Sequence, residues 1–267
     1  MLLPRLPAAW DGFRILQLSD IHAGAFPALG AKVAENIRDL KVDACVLTGD
    51  YFFARRTPTT EVYAAMEGIL GAVDARHGVV GVLGHHDTIE TVDLLESLGV
   101  KMLLNDVWEI ENNGASLCFV GLDDPHYYGC DDLPGAVKKA TADAPKILLV
   151  HSPELAQGAA EHGIDLYLCG HTHAGQVCLP GIGPLVLNAN CPHRYKKGLW
   201  QNGAMVGYTS RGVGTSGVAV RFNCPPEITV FELRSPLGTS GRSGDANGPV
   251  FRHSEQTLGQ EVAELGR

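Results

Sequence analysis

The residues of this 267-residue chain that are best suited to chemistry are histidines and aspartates that directly follow short apolar runs. Each of these runs is typical of a buried strand. The polar residues that follow the runs are Asp20, His22, Asp50, His85, His86, Asp87, His151, His171 and His173. In layered α/β proteins the reacting groups lie just beyond the carboxyl ends of the strands, so these residues should meet at one edge of the fold. Such a set is typical of a polynuclear metal site.

The ligand types indicate an open catalytic site. Carboxylates and imidazoles suit Mn, Fe, Zn, Co and Ni, and the absence of thiolates here argues against a closed structural zinc site. Asp20 and His22 lie two residues apart, and His171 and His173 repeat that spacing. Because strand side chains alternate with a period of two, each pair can chelate an ion. A carboxylate such as Asp50 can bridge two cations, which about 3.5 to 4 Å apart can hold a hydroxide for in-line attack on phosphorus.

The segments between these strand ends predict helices, and the alternation of strands and helices indicates a layered α/β fold. Helical spacing of apolar residues, caps and breakers predict helices at residues 29–37, 60–76, 88–98 and 152–163. Apolar runs at 117–120, 185–187, 204–208 and 228–233 have few helices between them, so we expect antiparallel strands in the carboxy-terminal half. The expected architecture is a β-sandwich flanked by helices.

The composition predicts one catalytic domain, residues 1–234, followed by a flexible C-terminal tail, residues 235–267, which is rich in Gly, Ser, Pro and charged residues. With 45% hydrophobic and 19% charged residues, the chain can form one sizeable core. Its formal net charge of -9 argues against nucleic acid as a partner, because that affinity comes from Lys and Arg. A small phosphorylated substrate remains compatible, since metal ions would supply positive charge locally.

Cysteine usage and the lack of long apolar runs predict a cytoplasmic protein. The seven cysteines are scattered and include no C-x-x-C pair, which favours reduced thiols over disulfides. No run approaches the roughly 18 apolar residues that span a bilayer, and the first residues do not form a signal peptide. We therefore expect no integral membrane segment, with peripheral association with the membrane left open.

The same residues resemble the calcineurin-like metallophosphoesterases. That family has D-x-H, G-D, G-N-H-D/E, a lone H and G-H-x-H in chain order. The counterparts here are Asp20-Ile21-His22, Gly49-Asp50, Gly84-His85-His86-Asp87, His151 and Gly170-His171-Thr172-His173. Further segments at 121–124, 174–180, 211–216 and 225–228 resemble the bacterial branch with YkuE-like and YaeI-like proteins, so that the likeness covers residues 10–234. The resemblance implies a four-layer αββα metallophosphoesterase sandwich.

The resemblance also implies two divalent metal ions and a set of residue roles. The first ion would be bound by Asp20, His22, Asp50 and His173, and the second by Asp50, His151, His171 and the residue at position 85. It implies that His86 acts on the leaving group or transition state, with Asp87 holding its ring. The implied reaction is phosphodiester hydrolysis by a hydroxide that bridges the two ions.

One residue departs from the family pattern. The family has Asn where this chain has His85, and that Asn gives the second ion an amide oxygen. Imidazole is also a good ligand for these ions, so we expect His85 to bind the second one. Two alternatives stay open: a weakened second site, which would leave a mononuclear enzyme, or an exchange in which His86 binds metal and His85 faces the substrate.

Candidate substrate contacts lie in two loops. His126, beside Tyr127 and Tyr128, could shape the substrate pocket, and Arg194, in a basic cluster, could contact a phosphate or a headgroup. Arg55 and Arg56, just after the strand that ends at Asp50, are similar candidates. The alternative for each is an ordinary solvated loop.

Three functions fit these patterns. The first is a metal-dependent phosphohydrolase, a phosphodiesterase, with a small phosphorylated substrate. The second keeps this chemistry but acts on a lipid-linked nucleotide or a phospholipid. Some relatives in this branch resemble UDP-2,3-diacylglucosamine pyrophosphatases of lipid A synthesis, which implies such a substrate. The third is a weakly active or inactive metal-binding scaffold. Metal content separates the third from the others, and a lipid nucleotide assay separates the first two.

Overall fold

Two β-sheets carry the strand ends that were singled out in the sequence. The structure, a computed structural model, describes residues 1–184 and 186–238. The strands are β1 (Arg14–Leu18), β2 (Lys41–Val42), β3 (Ala44–Thr48), β4 (Asp74–Ala75), β5 (Val79–Val82), β6 (Val100–Met102), β7 (Asp106–Asn112), β8 (Ala115–Gly121), β9 (Lys146–Leu149), β10 (Leu166–Cys169), β11 (Cys178–Leu179), β12 (Gly183–Pro184), β13 (Gly198–Asn202), β14 (Met205–Thr209) and β15 (Thr229–Glu232). The α-helices are α1 (Leu29–Ile37), α2 (Thr59–Leu70), α3 (Glu90–Ser97), α4 (Leu133–Lys139) and α5 (Ala156–Glu161).

The first sheet has the strand order β15-β1-β3-β5-β6, and the second has the order β13-β14-β10-β9-β8-β7. In the first sheet β1, β3, β5 and β6 are parallel, and β15 pairs antiparallel with β1. In the second sheet β8, β9, β10 and β14 are parallel, with antiparallel strands at both edges. The carboxyl ends of the parallel strands therefore lie together in each sheet, where the candidate ligands follow them.

Apolar residues on both faces of the central strands build the layers of the fold. Along β3, Ala44 and Val46 belong to a core that the two sheets share, whereas Cys45 and Leu47 pack into the core with α1, α2 and α3. The second sheet repeats this alternation, and its outer face packs against α4 and α5. Strands buried on both faces read as continuous apolar runs, which is why the runs were recognisable. The predicted αββα sandwich is confirmed.

Several element boundaries differ from the prediction. The second helix ends at Leu70 because the chain turns at Gly71 and then forms β4, which pairs with β2. The predicted helix at 152–163 begins as a 3-10 turn at Pro153–Leu155 before α5. The short helix α4 was not predicted; Asp132 caps it by accepting a hydrogen bond from the Gly135 amide.

The antiparallel strands expected in the carboxy-terminal half occur only at sheet edges, since β8 and β14 also pair in parallel with inner strands. Of the predicted strand at 185–187, residue 185 lies outside the described residues, and Val186 and Leu187 are not in a strand. The predicted tail lies outside the described residues from position 239 onward. At its start, the buried Ser235 donates a hydrogen bond to the Leu6 carbonyl.

The seven cysteines are free thiols, as expected. Among the described residues, no helix has both the length and the apolar character needed to cross a membrane.

Candidate metal centre

Strained turns at the strand ends carry most of the candidate ligands. Asp20 and His22 follow β1, Asp50 follows β3, and His171 and His173 follow β10. These five residues have positive φ angles of 53°, 45°, 60°, 73° and 49° in that order. A residue with a Cβ adopts this left-handed conformation at a cost, and such residues cluster at functional sites when the surrounding structure holds them. The sequence pattern thus folds into turns that aim several polar side chains at one place.

The side chains form four overlapping groups of potential ligands, in each of which the donor atoms lie within 4.8 Å of one another. One group contains Asp20, His22 and His173, and a second contains His85, His151 and His171. These two groups bring together residues that the sequence assigned to the same ion. The other two groups contain Asp50, once with His22 and His86 and once with Asp20 and His151.

Asp50 lies between the two groups. Its Oδ2 atom is 3.6 Å from His22 Nε2 in the first group. The same atom is 3.2 Å from His85 Nδ1 and 3.2 Å from His151 Nε2 in the second. Oδ2 is buried and has no hydrogen-bond partner despite these neighbours. Nitrogen and oxygen atoms that approach closely without hydrogen-bond geometry are arranged as metal ligands are, around a common centre.

Backbone carbonyls fix the orientation of two histidine rings. His22 Nδ1 is 2.9 Å from the Phe52 carbonyl, and His151 Nδ1 is 2.8 Å from the Thr48 carbonyl. A carbonyl only accepts, so we assign a ring proton to Nδ1 in both cases, which directs Nε2 at the cluster. Metal-binding histidines use the same arrangement, in which the second ring nitrogen donates to the protein.

The electrostatics of the cluster suit cation binding. Burial lowers the pKa of His22 to about 4, and burial also holds the pKa values of His171 and His173 well below the usual value, so these rings are neutral. Burial opposes ionisation of Asp50, but the neighbouring His151 outweighs it and the carboxyl pKa is well below its usual range. Burial likewise opposes charge on His151, yet Asp50 raises its pKa to about 10. The protonated ring of His151 thus supplies positive charge beside the buried carboxylate, and a divalent ion would displace this proton and supply the charge instead.

His85 joins the second group of ligands. Its Nδ1 atom is 3.2 Å from His151 Nε2, and its ring centroid is 4.8 Å from that of His171. The ring of His86 lies against His22 instead, with centroids 4.8 Å apart. The position of His85 fits the second ion, while the ring of His86 forms a potential ligand group with His22 and Asp50, so the exchange of the two histidines stays an open alternative. The backbone N–H of His86 donates a hydrogen bond to Asp50 Oδ1 at 2.9 Å.

Asp87 joins the turns after β3 and β5. Its buried carboxyl group accepts hydrogen bonds from the backbone N–H groups of Asp50 and Gly84, both at 2.8 Å, and of Tyr51 at 2.9 Å. Among the described residues, no hydrogen bond joins it to the His86 ring, and the expectation that Asp87 holds this ring stays a prediction. The contacts that the structure has make Asp87 a positioning residue.

Sequence reasoning missed a polar link beneath the ligands. Gln17, a buried residue of β1, donates from Nε2 to Thr48 Oγ1 at 3.1 Å and to the Cys169 carbonyl at 3.0 Å. It thereby joins the ends of β3 and β10 across the two sheets. The signal was present, since Gln17 is the one polar residue in an otherwise apolar run.

Arg221 was also missed. Its Nη2 atom is 3.1 Å from His173 Nδ1 and donates to the Arg211 carbonyl at 2.7 Å, while its Nε donates to the Gly214 carbonyl at 2.9 Å. The guanidinium thus braces the ring of His173 against the loop after β14. No pattern in the sequence marks this contact, because Arg221 and His173 are 48 residues apart.

The two predicted substrate contacts lie in different surroundings. The ring of His126 is 4.2 Å from that of His171 and pairs through Nδ1 with Glu154 Oε1 at 2.8 Å, which places it at the edge of the second ligand group. Arg194 donates to the Tyr195 hydroxyl at 2.7 Å and lies over that ring. Within the described part of the chain, Arg194 forms no hydrogen bond or ion pair with a candidate ligand.

Comparison with known proteins identifies the family. The profile of the family described as calcineurin-like phosphoesterase matches residues 13–175, which include every candidate ligand. The chain belongs to this family. This calcineurin-like phosphoesterase is 31% identical over 240 residues to the uncharacterized metallophosphoesterase YkuE of Bacillus subtilis, covering 86% of this chain and 82% of YkuE. It is 30% identical over 231 residues to the phosphodiesterase YaeI of Escherichia coli, covering 83% and 82% of the two chains.

Solved structures support the fold. SoxB of Thermus thermophilus, a sulfate thiohydrolase, matches with a TM-score of 0.51 and 14% identity over 86% of this chain and 57% of SoxB. Together with the relatives above, the family match makes this calcineurin-like phosphoesterase a hydrolase of phosphoric esters that acts on a small phosphorylated substrate. Its Asp and His groups are candidates for the metal sites on which the family depends.

Gly84 tests how closely the turn after β5 must approach Asp50. A Cβ at Gly84 would overlap the Asp50 carboxylate and lie 2.5 Å from the Asp50 amide nitrogen. We expect Gly84→Ala to displace this carboxylate, to raise the dissociation constant for Mn²⁺ about tenfold or more, and to destabilise the fold by about 1–3 kcal/mol. Calorimetric Mn²⁺ titration and thermal unfolding measure both effects.

The matched control is Gly68→Ala in α2, where a Cβ would meet no atom within 4 Å. It should leave Mn²⁺ affinity unchanged. Normal Mn²⁺ affinity in Gly84→Ala would contradict the assigned geometry.

His85 tests whether an imidazole can replace the family Asn. We expect His85→Asn to retain Mn²⁺ binding, because it restores an amide oxygen to this position. His85→Ala removes a ligand, so it should raise the dissociation constant of the more weakly bound Mn²⁺ ion about tenfold or more. Calorimetric titration of the three proteins decides this. Equal Mn²⁺ binding by His85→Ala and the wild type would show that His85 is not a ligand.

Proposed function

We propose that this protein is a metal-dependent phosphodiesterase with a dinuclear metal centre. The observation that carries the proposal is the position of Asp50, whose unpaired Oδ2 lies between two groups of imidazoles and carboxylates. The first ion would be held by Asp20, His22, Asp50 and His173, and the second by Asp50, His85, His151 and His171. Mn, Fe, Zn, Co and Ni all suit these ligands. When bound, the ions would supply the nucleophile and neutralise charge on the phosphoryl group.

Residues beside the ligands would handle the leaving group. His86 is half-buried and packs against His22, and its backbone N–H is fixed by Asp50 at 2.9 Å. Its imidazole would donate a hydrogen bond to the leaving oxygen as the bond to phosphorus breaks. Burial lowers its pKa, so a neutral ring that donates from one nitrogen is the favoured form.

His126 would position the substrate on the opposite side. Glu154 accepts from one side of its ring, and Asn190 donates its backbone N–H to the same Glu154 oxygen at 2.7 Å. This network holds the ring over His171. Its Nε2 accepts from Asn188 Nδ2 at 3.4 Å, so His126 would shape the wall of the substrate pocket. Arg194, which is exposed and lies over Tyr195, stays a weaker proposal for the same task.

Exposed apolar side chains favour a lipid-linked substrate as a second candidate. The loop at 216–222 is tied to the turn after His173 by Gln176, whose side chain donates to the Ser216 and Val218 carbonyls at 3.0 and 2.8 Å. This loop exposes Val218, Val220 and Phe222. Apolar groups grouped at a surface mark contact with lipid or protein. A UDP-diacylglucosamine-like substrate would fit this surface and would place a cytoplasmic protein at the membrane periphery.

Asp50→Asn tests the proposed function most simply. With bis(p-nitrophenyl) phosphate as substrate and Mn²⁺ added after removal of metals by a chelator, we expect the variant to lose about 100-fold or more in kcat, since losing about 2.7 kcal/mol of transition-state stabilisation has this effect. The lipid alternative is measured in parallel with a detergent-dispersed lipid nucleotide.

The control is Asp39→Asn, which removes an exposed carboxylate. It should keep full activity. If Mn²⁺, Fe²⁺, Co²⁺, Ni²⁺ and Zn²⁺ all fail to raise wild-type activity above that of Asp50→Asn on either substrate, the inactive-scaffold hypothesis replaces the proposal.

A further inference from the structure

An arginine at the rim of the candidate centre, Arg55, is held by aromatic side chains. Arg55 follows β3 by a short loop, and its Nη2 donates to the Tyr128 hydroxyl at 3.2 Å. Its guanidinium carbon lies 5.1 Å from the Tyr127 ring centroid and 6.0 Å from that of Tyr128. No ion pair involves Arg55 in the described part of the chain. An arginine held in place by aromatic rings keeps most of its donors free for a ligand.

The loops that hold this arginine are the loops that carry the site. The Tyr128 hydroxyl donates to the Asp87 carbonyl at 3.1 Å, next to His86. The ring of Phe53, two residues before Arg55, is 6.4 Å from the ring of His22. Through Tyr128, the guanidinium is linked to the turn after β5. The loop that carries Arg55 also contacts His22 of the first ligand group through Phe53.

Buried hydrogen bonds also fix the two tyrosines. Asp124, a fully buried residue, accepts from the backbone N–H groups of Tyr127 at 2.7 Å and Tyr128 at 3.0 Å. The same loop carries His126, which packs on His171 of the second ligand group. The Arg55–tyrosine cluster (Arg55, Tyr127, Tyr128) is therefore a preorganised part of the rim, between the loops of both ligand groups.

We propose that Arg55 binds a second phosphoryl group of the substrate, and that the preferred substrates are pyrophosphate diesters. This inference rests on the proposed function. In such a substrate one phosphoryl group would react at the Asp and His cluster, and the other would accept hydrogen bonds from the planar guanidinium fork. Water adds to the reacting phosphorus, the bond from that phosphorus to the bridging oxygen breaks, and two phosphomonoesters result.

The charge distribution supports this assignment. The chain has a net charge of -9, and its candidate centre contains two buried aspartates, so a polyanionic substrate gains from a cation at the rim. Arg56, the next residue, is also exposed, and within the described residues no hydrogen bond or cation–π contact joins it to the two tyrosines. It offers the same charge at almost the same place without the aromatic support.

The test compares binding of ADP and AMP, which differ by one phosphoryl group, to the Mn²⁺-loaded wild type, Arg55→Gln and Arg56→Gln by calorimetry. Chelation of Mn²⁺ by the nucleotides is the same for all three proteins, so it cancels in the comparison between them. We expect the wild type and Arg56→Gln to bind ADP about tenfold more tightly than AMP, and Arg55→Gln to lose this ratio, because a charge-assisted hydrogen bond to phosphate is removed.

The alternative is that Arg55 only joins two loops. In that case Arg55→Gln would lower the melting temperature and weaken AMP and ADP equally, and the proposal would be overturned. Equal affinity of the wild type for AMP and ADP would overturn it as well. Because binding is measured without turnover, loss of the ADP preference is distinguishable from a lack of phosphodiesterase activity, which concerns the proposed function.

Discussion

The arrangement of the site depends on the buried carboxylate of Asp50. One of its oxygens accepts the backbone N–H of His86, and the other faces the imidazoles of both ligand groups without a hydrogen bond. A buried carboxylate in this state costs free energy unless positive charge lies beside it. A cation on each side would satisfy this requirement, which is the physical basis for proposing a dinuclear centre.

The turns that support Asp50 are strained, and the rest of the fold holds them. Each left-handed residue with a Cβ costs about 1–3 kcal/mol, and the candidate ligands include five of them. Asp87 compensates by accepting backbone hydrogen bonds from the turns after β3 and β5, and Gln17 joins the two sheets just below. Gly84 permits the close approach of these turns. The layered core keeps the strand ends in register, so ligands far apart in sequence meet without rearrangement.

The ligands were predictable because they follow strands buried on both faces. Such strands are recognisable as continuous apolar runs, and parallel strands end at a common edge of a sheet. The sequence alone therefore predicts that Asp20, Asp50 and His151 lie close together. The role of Asp87 was not predictable, since it depends on backbone amides of a distant turn. The contact between Arg221 and His173 and the helix α4 were missed for related reasons: a long-range loop contact has no periodic signal, and α4 contains Pro134 and Gly135, which usually mark a turn.

In the proposed centre Asp50 lies between two metal ions. Diffraction from crystals soaked in Mn²⁺, measured at a wavelength where manganese scatters anomalously, locates such ions. We expect two anomalous peaks about 3.5 to 4 Å apart on either side of Asp50 Oδ2, one beside His22 and His173 and the other beside His85 and His151. A single peak, or peaks away from Asp50, would contradict this proposal.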